Sequence, residues 1–185
     1  GAKGVEPKEY VDSLVPTFEA AWKSLNIDYD IFMRTTDSLH EHEASSIIQK
    51  IYDKGFIYPG VYEGLYCVGC EKFLTDKDLV DGKCPLHPNK TPVFQRERNY
   101  FFKLSDFQSR LYELFESDEV VILPKHRKVE ILNRIKDGLE DISVSREGVS
   151  GGIPVPWDKS HTIYVWVEAL FNYYTATKIK GDWGR

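Results

Sequence analysis

The sequence lacks any long apolar run: nothing in its 185 residues approaches the ~18 consecutive apolar residues that a membrane-spanning helix needs, and no membrane role is expected. Its first residues, GAKGVEPKEY, carry no charged-then-apolar leader, so nothing there suggests export. A surplus of positive charge is also missing. With 24 Lys and Arg against 29 Asp and Glu, the net charge of -5 gives the whole chain no electrostatic case for nucleic acid and leaves only a local basic face as a route to it. Cysteine is scarce and odd in number: three residues do not make a paired disulfide framework, and two of them form a C-x-x-C, which points to metal or redox chemistry in a cytoplasmic setting. No internal repeat or low-complexity tract is present. What is there, 42% hydrophobic and 29% charged residues, suits an ordinary globular chain long enough for one medium domain or one domain with a small insertion.

Val11, Leu14, Val15, Phe18, Trp22 and Leu25 keep to one helical face, which predicts a helix over about 7–25 with that face in the core. Pro7 suits its first turn, and Pro16 predicts a kink or a break into two helices. Tyr29 to Thr35 (YDIFMRT) reads as a strand. It leads into a second helix with Ser38 and Glu41 at capping-box spacing, an inward face of Ala44, Ile47, Ile48 and Ile51, and Gly55 at its close. His40 and His42 read as part of the solvated face. From Phe56 to about Leu104 the texture changes to short aromatic strands and close turns, the mark of a small insertion stapled by something other than a core. Ser105 with Gln108 then caps a helix carrying Phe107, Leu111, Leu114 and Phe115. Val129, Leu132 and Ile135 mark another after Pro124, ended by Gly138. Strands follow at Asp141 to Ser145 and Thr162 to Val167, the second running into a helix EALFNYYTA.

Cys67-Val-Gly-Cys70 is followed, thirteen residues on, by Cys84-Pro-Leu-His87. A four-coordinate zinc site needs two ligand pairs arriving from different segments, and two residues between paired ligands let both reach one ion from a tight turn. Gly69, Gly82 and Pro85 fit such turns. With all four positions filled by protein, the Zn²⁺ would be structural rather than catalytic. A redox C-x-x-C would leave Cys84 and His87 without a task, and Glu71 reads as solvated rather than as a fifth ligand.

The ordered segments FMRTTD, GFIYPGVYEGLYCVGCEKF, CPLH, NYFFKLS, GLEDISVSR, GIPVP and YVWVEALFNYY resemble methionyl-tRNA synthetase, a class I synthetase family, over nearly the whole chain. The resemblance implies an α/β fold, part of a Rossmann-type nucleotide-binding domain interrupted by a small zinc-binding insertion with short strands. Residues 1–57 and 141–185 would belong to the first and residues 58–140 to the connective insertion. It implies adenylation of methionine by ATP with Mg²⁺ and transfer to initiator and elongator tRNA(Met). Trp166 and Tyr173 would wall the methionine site, with Ala169 and Leu170 beside them, and Arg146 would help position substrate near the cleft. The HIGH-type and KMSKS-type motifs of the class do not occur in these 185 residues, so the chain alone is expected to be inactive. Gly151 stands where the family usually has Trp, and Glu168 where Asp is common. The rival reading is a stand-alone zinc ribbon that binds a protein or RNA partner.

Overall fold

The computed structural model describes residues 4–70, 72–75, 78–149 and 151–180. Glu71 lies outside them. The chain divides into two units, Gly1–Arg34 and Thr35–Arg185.

The first unit is built on helix α1 (Pro7–Ser24), which opens with Pro7 in its first turn, where a missing N–H costs nothing. It runs unbroken through Pro16 rather than splitting there, since one lost bond in a cooperative helix does not outweigh the remaining ladder. Its apolar face is only in part the core expected of it: Val11, Phe18 and Leu25 stay exposed, while Leu14, Val15 and Trp22 are half-buried. Trp22 lies edge-on to Tyr29 at 5.5 Å and against Phe32 at 5.3 Å. That packing explains why Tyr29 to Thr35 is irregular chain and not the expected strand. Its aromatic residues serve a tryptophan.

In the second unit, helix α2 (Ser38–Asp53) takes Asp37 rather than Ser38 as its N-cap position, so the Ser38–Glu41 box does not form. Gly55 closes the helix at φ 76°, a left-handed conformation glycine adopts without cost. Ala44 and Ile48 of α2 meet Ile57, Val144, Ile153, Val155 and Ile163 in the main core. Strand β1 (Ile57–Cys67) then pairs antiparallel with β3 (Val93–Phe102), in register from Ile57 opposite Phe102 to Tyr66 opposite Val93. Gly60 permits this hairpin's packing, because a Cβ there would come within 2.8 Å of the Phe101 ring. The short β2 (Lys72–Leu74) and β4 (Ile142–Ser143) complete a sheet of order β2-β1-β3-β4.

A 3-10 turn (Leu104–Phe107) leads into α3 (Gln108–Glu116), followed by α4 (Lys125–Lys136), which Gly138 terminates. Ser105 and Gln108 do not cap α3 as expected, because the returning chain claims both. Ser105 donates its N–H and hydroxyl to Asp141, and Gln108 accepts the N–H of Leu139. Asp141 also accepts from the Tyr58 hydroxyl at 2.9 Å, which makes it a staple between β1, the 3-10 turn and β4. The Ser105 hydroxyl, opposed by desolvation and helped by Tyr58, holds the Asp141 carboxyl below its usual range. A depressed carboxyl stabilises the fold above its unfolded pKa of about 3.9, and the contribution is lost as pH falls through the folded value. Asp141→Asn is therefore expected to lower stability by about 1 to 2 kcal/mol at pH 7 and by progressively less below about pH 4, read by urea unfolding at both pH values.

The expected strand from Asp141 to Ser145 is split. Val144 gives its N–H to Tyr100 and accepts the N–H of Tyr164, and beyond it β5 (Ser145–Glu147) enters a second sheet, β5-β7-β6, with β6 (Pro154–Val155) and β7 (Asp158–Ile163). All pairings among the described strands are antiparallel. The expected Thr162–Val167 strand stops at Ile163. Val165–Glu168 is a short helix, α5, whose Val167 and Glu168 N–H groups turn back onto the Tyr164 carbonyl, overriding the β-branched sequence. Helix α6 (Phe171–Lys180) follows. The whole is mixed α/β, and no described helix is long and apolar enough to cross a membrane.

Candidate metal centre and neighbouring polar sites

The first ligand pair sits where β1 ends: Cys67 is its last residue, and Val68-Gly69 turn the chain so that Cys70 comes back beside it. The second pair is presented by a two-residue hairpin. Asp81 and Gly82 both have positive φ (51° and 72°), and Val80 and Lys83 exchange both backbone bonds across them, the geometry an Asp-Gly turn favours. Cys84 follows at once, and the His87 N–H closes on the Cys84 carbonyl at 3.0 Å.

These turns bring four donor atoms together within 4.8 Å of one another. His87 Nδ1 lies 3.2 Å from Cys70 Sγ, 3.8 Å from Cys67 Sγ and 3.9 Å from Cys84 Sγ, and Cys70 Sγ lies 3.5 Å from Cys84 Sγ. A tetrahedral ion with ~2.3 Å bonds to sulfur and ~2.0–2.1 Å bonds to nitrogen needs edges of about 3.8 Å (S to S) and 3.5 Å (S to N), so the residues fit a metal at their centre. Gly69 is part of that fit: a Cβ there would stand 2.5 Å from the His87 ring. All three thiols are free, and the 3.5 Å sulfur separation is far beyond a disulfide bond of about 2.05 Å. Burial, with the neighbouring Cys84 and Cys67 thiols, pushes the Cys70 thiol up to about 11. Burial also pushes Cys67 up, but the N–H groups of Cys70 and Gly69 and the Cys84 thiol outweigh it, for a net lowering. The apolar material here is slight: Cys67, Leu74 and Cys84, with Cys70 and Leu79 packed against them. The hairpin is nonetheless rooted in the main core through Ile57, Tyr100 and Phe102, which a free ribbon would not need.

Arg146, on β5, is held rather than free. Its guanidinium bridges to Glu97 at 3.2 Å, reaches the Tyr66 hydroxyl at 3.4 Å and lies over the Tyr66 and Tyr164 rings. Glu97 was not foreseen, since the pairing of β3 with the rest of the fold, not local spacing, supplies it. With Tyr62, Phe73, Asn99 and Arg134, the arginine lines an open cleft of about 470 Å³.

Trp166 on α5, and Leu170 and Tyr173 beyond it, are 72%, 64% and 78% exposed, while Ala169 is half-buried. The two rings are therefore not core residues. His40 corrects the sequence reading. It is not on the solvated face but fully buried, its Nε2 donating to Glu168 Oε2 at 2.7 Å and its Nδ1 3.4 Å from the Thr175 hydroxyl. The signal was available: His40 stands four residues before Ala44 and eight before Ile48, on the inward stripe of α2. His42 is exposed, as expected.

Ser145, His161 and Asp158 also line up, with Ser145 Oγ 3.2 Å from His161 Nδ1 and His161 Nε2 3.8 Å from Asp158. Ser145 is fully buried and already accepts the Tyr100 N–H, so the set ties β3 to the second sheet and offers no nucleophile.

A family model described as tRNA synthetases class I (M) matches residues 1–91 and 86–183. The methionine–tRNA ligase of Caldanaerobacter subterraneus subsp. tengcongensis is 48% identical over 175 residues, covering 94% of this chain and 27% of its own length. That of Clostridium tetani is 45% identical over 182 residues, covering 97% and 28%. The chain thus spans little more than a quarter of these relatives. Among solved structures, Mycobacterium tuberculosis methionyl-tRNA synthetase in complex with methionyl-adenylate superposes with a TM-score of 0.84 at 30% identity, covering 100% of this chain and 37% of that one.

Proposed function

The chain belongs to the class I tRNA synthetases of the methionine type, and from that membership we propose that it forms the zinc-bearing portion and one wall of the amino-acid site of a methionine–tRNA ligase. In the proposed reaction the methionine carboxylate attacks the α-phosphorus of ATP and releases pyrophosphate. A hydroxyl at the tRNA 3′ end then attacks the acyl carbon and releases AMP. Methionine, ATP with Mg²⁺ and initiator or elongator tRNA(Met) are the proposed substrates, and the cytoplasm is the proposed compartment. Residues 58–140 form the connective insertion in this reading, and residues 1–57 and 141–185 belong to the Rossmann-type catalytic domain.

The observation that carries the reading is the similarity of the whole chain to a synthetase solved with methionyl-adenylate. The four donors Cys67, Cys70, Cys84 and His87 suit zinc by their chemistry, soft thiolates with one imidazole, and they leave no fifth position open. Bound there, zinc supplies folding energy and no chemistry to the reacting atoms. Trp166 and Tyr173 are proposed as aromatic walls for the thioether, with Ala169 and Leu170 completing an apolar lining, because sulfur against a ring is favourable and an uncharged side chain needs an apolar site. Their exposure in this chain supports the reading, since core rings would have no free face to offer. Arg146, steadied by Glu97, is proposed to act near the cleft as a fixed cation rather than as a mobile one.

In the full-length ligase, Tyr173→Ala and Trp166→Ala are expected to raise KM for methionine at least tenfold, roughly 1.4 kcal/mol, while KM for ATP moves less than twofold. Equal changes in both constants would count against the assignment. The 185-residue chain alone is expected to give methionine-dependent pyrophosphate exchange no higher than background, and measurable exchange would show that the missing motifs are not needed.

A further inference from the structure

Helix α5 is four residues long, too short to hold its own conformation, so its orientation is set by what it is fastened to. Two of its residues are fastened. Val167 packs against the main core, and Glu168 is buried with its carboxylate on His40 Nε2 at 2.7 Å. Trp166 directly precedes them and is exposed, and Ala169 directly follows them. The same histidine reaches α6: its Nδ1 lies 3.4 Å from the Thr175 hydroxyl, which in turn donates to the Phe171 carbonyl at 3.0 Å. One side chain from the first turn of α2 thus touches both helices that bear Trp166 and Tyr173.

We propose that His40 is a positioning residue for amino-acid recognition: it clamps Glu168 and Thr175 so that the exposed aromatic residues of α5 and α6 are held at the geometry that receives methionine. The inference rests on the assignment of Trp166 and Tyr173 to the methionine site and extends it to a residue that touches no substrate. A buried carboxylate bonded to a buried imidazole is a costly arrangement for stability alone, and an apolar pair would pack as well. What the hydrogen bond adds is direction, because it fixes α5 at one rotation and one depth.

The experiment is steady-state adenylation by the full-length ligase, with KM for methionine and for ATP measured separately. His40→Ala is expected to raise KM for methionine at least tenfold and KM for ATP less than twofold. His40→Gln, whose amide can still donate to Glu168, is expected to recover most of the loss. Because His40→Ala leaves a buried carboxylate unpartnered and could fold poorly, Glu168→Gln serves beside it. That variant keeps shape and an acceptor oxygen while removing the charge, and a three- to fivefold rise in KM for methionine is expected. Unchanged KM for methionine in both His40→Ala and Glu168→Gln overturns the proposal, as does an equal rise in both constants, which is what general loosening produces. If Trp166→Ala and Tyr173→Ala alter recognition and the His40 variants do not, only this inference falls. If none of the four does, the methionine-site assignment falls with it.

Discussion

Removing the metal is expected to unfold the tip of the long hairpin while leaving its root intact. The purified chain should carry about one equivalent of zinc. A strong chelator, or Cys84→Ser, should abolish amide-exchange protection between residues 67 and 87. The reasoning starts from how little else holds that region together. Among the described residues its buried apolar cluster is only Cys67, Leu74 and Cys84 with Cys70 and Leu79, and three of those five residues are themselves the proposed ligands. Structural zinc contributes on the order of 10–16 kcal/mol of binding free energy in small modules, far more than two leucines can return. Protection around Ala44, Ile48 and Ile57 should survive chelation, because that cluster shares no residue with the knuckle. Metal-free protein with an unchanged exchange pattern would defeat the assignment.

Ile48→Ala should produce the opposite pattern, a loss of global stability that chelation does not reproduce. Ile48 is 1% exposed and touches a cluster to which α2, β1 and the second sheet all contribute. Truncating a buried isoleucine removes its transfer energy and leaves a cavity, together about 2 to 5 kcal/mol, against a total stability of about 5 to 15 kcal/mol for a folded domain. Urea unfolding followed by far-UV circular dichroism should show a clearly lower midpoint. The control is Val129→Ala on α4, which is 57% exposed and should shift the midpoint by no more than about 0.5 kcal/mol. Equal shifts in the two variants would mean that the core has been misplaced.

The cluster of four candidate ligands was legible in the sequence because its parts are local. Each ligand pair spans four positions, and the Asp81-Gly82 turn that presents the second pair is written in two adjacent residues. Helix α2 was legible for a similar reason, a stripe of apolar residues at helical spacing. What could not be read depended on a distant segment. Tyr29 and Phe32 look like strand residues until Trp22 is found against them. Ser105 looks like a cap until Asp141 returns to take its hydroxyl, and Thr162 to Val167 looks like one strand until Tyr164 turns the chain into α5. His40 is the instructive miss. Its place on the apolar stripe was plain, but a histidine among HEHE was taken for a surface residue, because nothing nearby announces a carboxylate 128 positions away. Arg146 was found and its partner Glu97 was not, for the same reason.

The double duty of Val144 has a mechanical consequence. Its N–H is tied to Tyr100 and its carbonyl to Tyr164, so the two sheets cannot pivot about that residue without breaking a bond on each side. Any swing of the hairpin tip would also have to break the contacts of Arg146 with Glu97 and Tyr66. Ten paired positions at ~3.4 Å each make an arm of roughly 30 Å, and Arg146 of β5 ties that arm to the second sheet at Glu97 and Tyr66, beside Cys67. The hairpin is an arm held to the second sheet at its root and again beside Cys67, so the four donor side chains keep one place relative to the core.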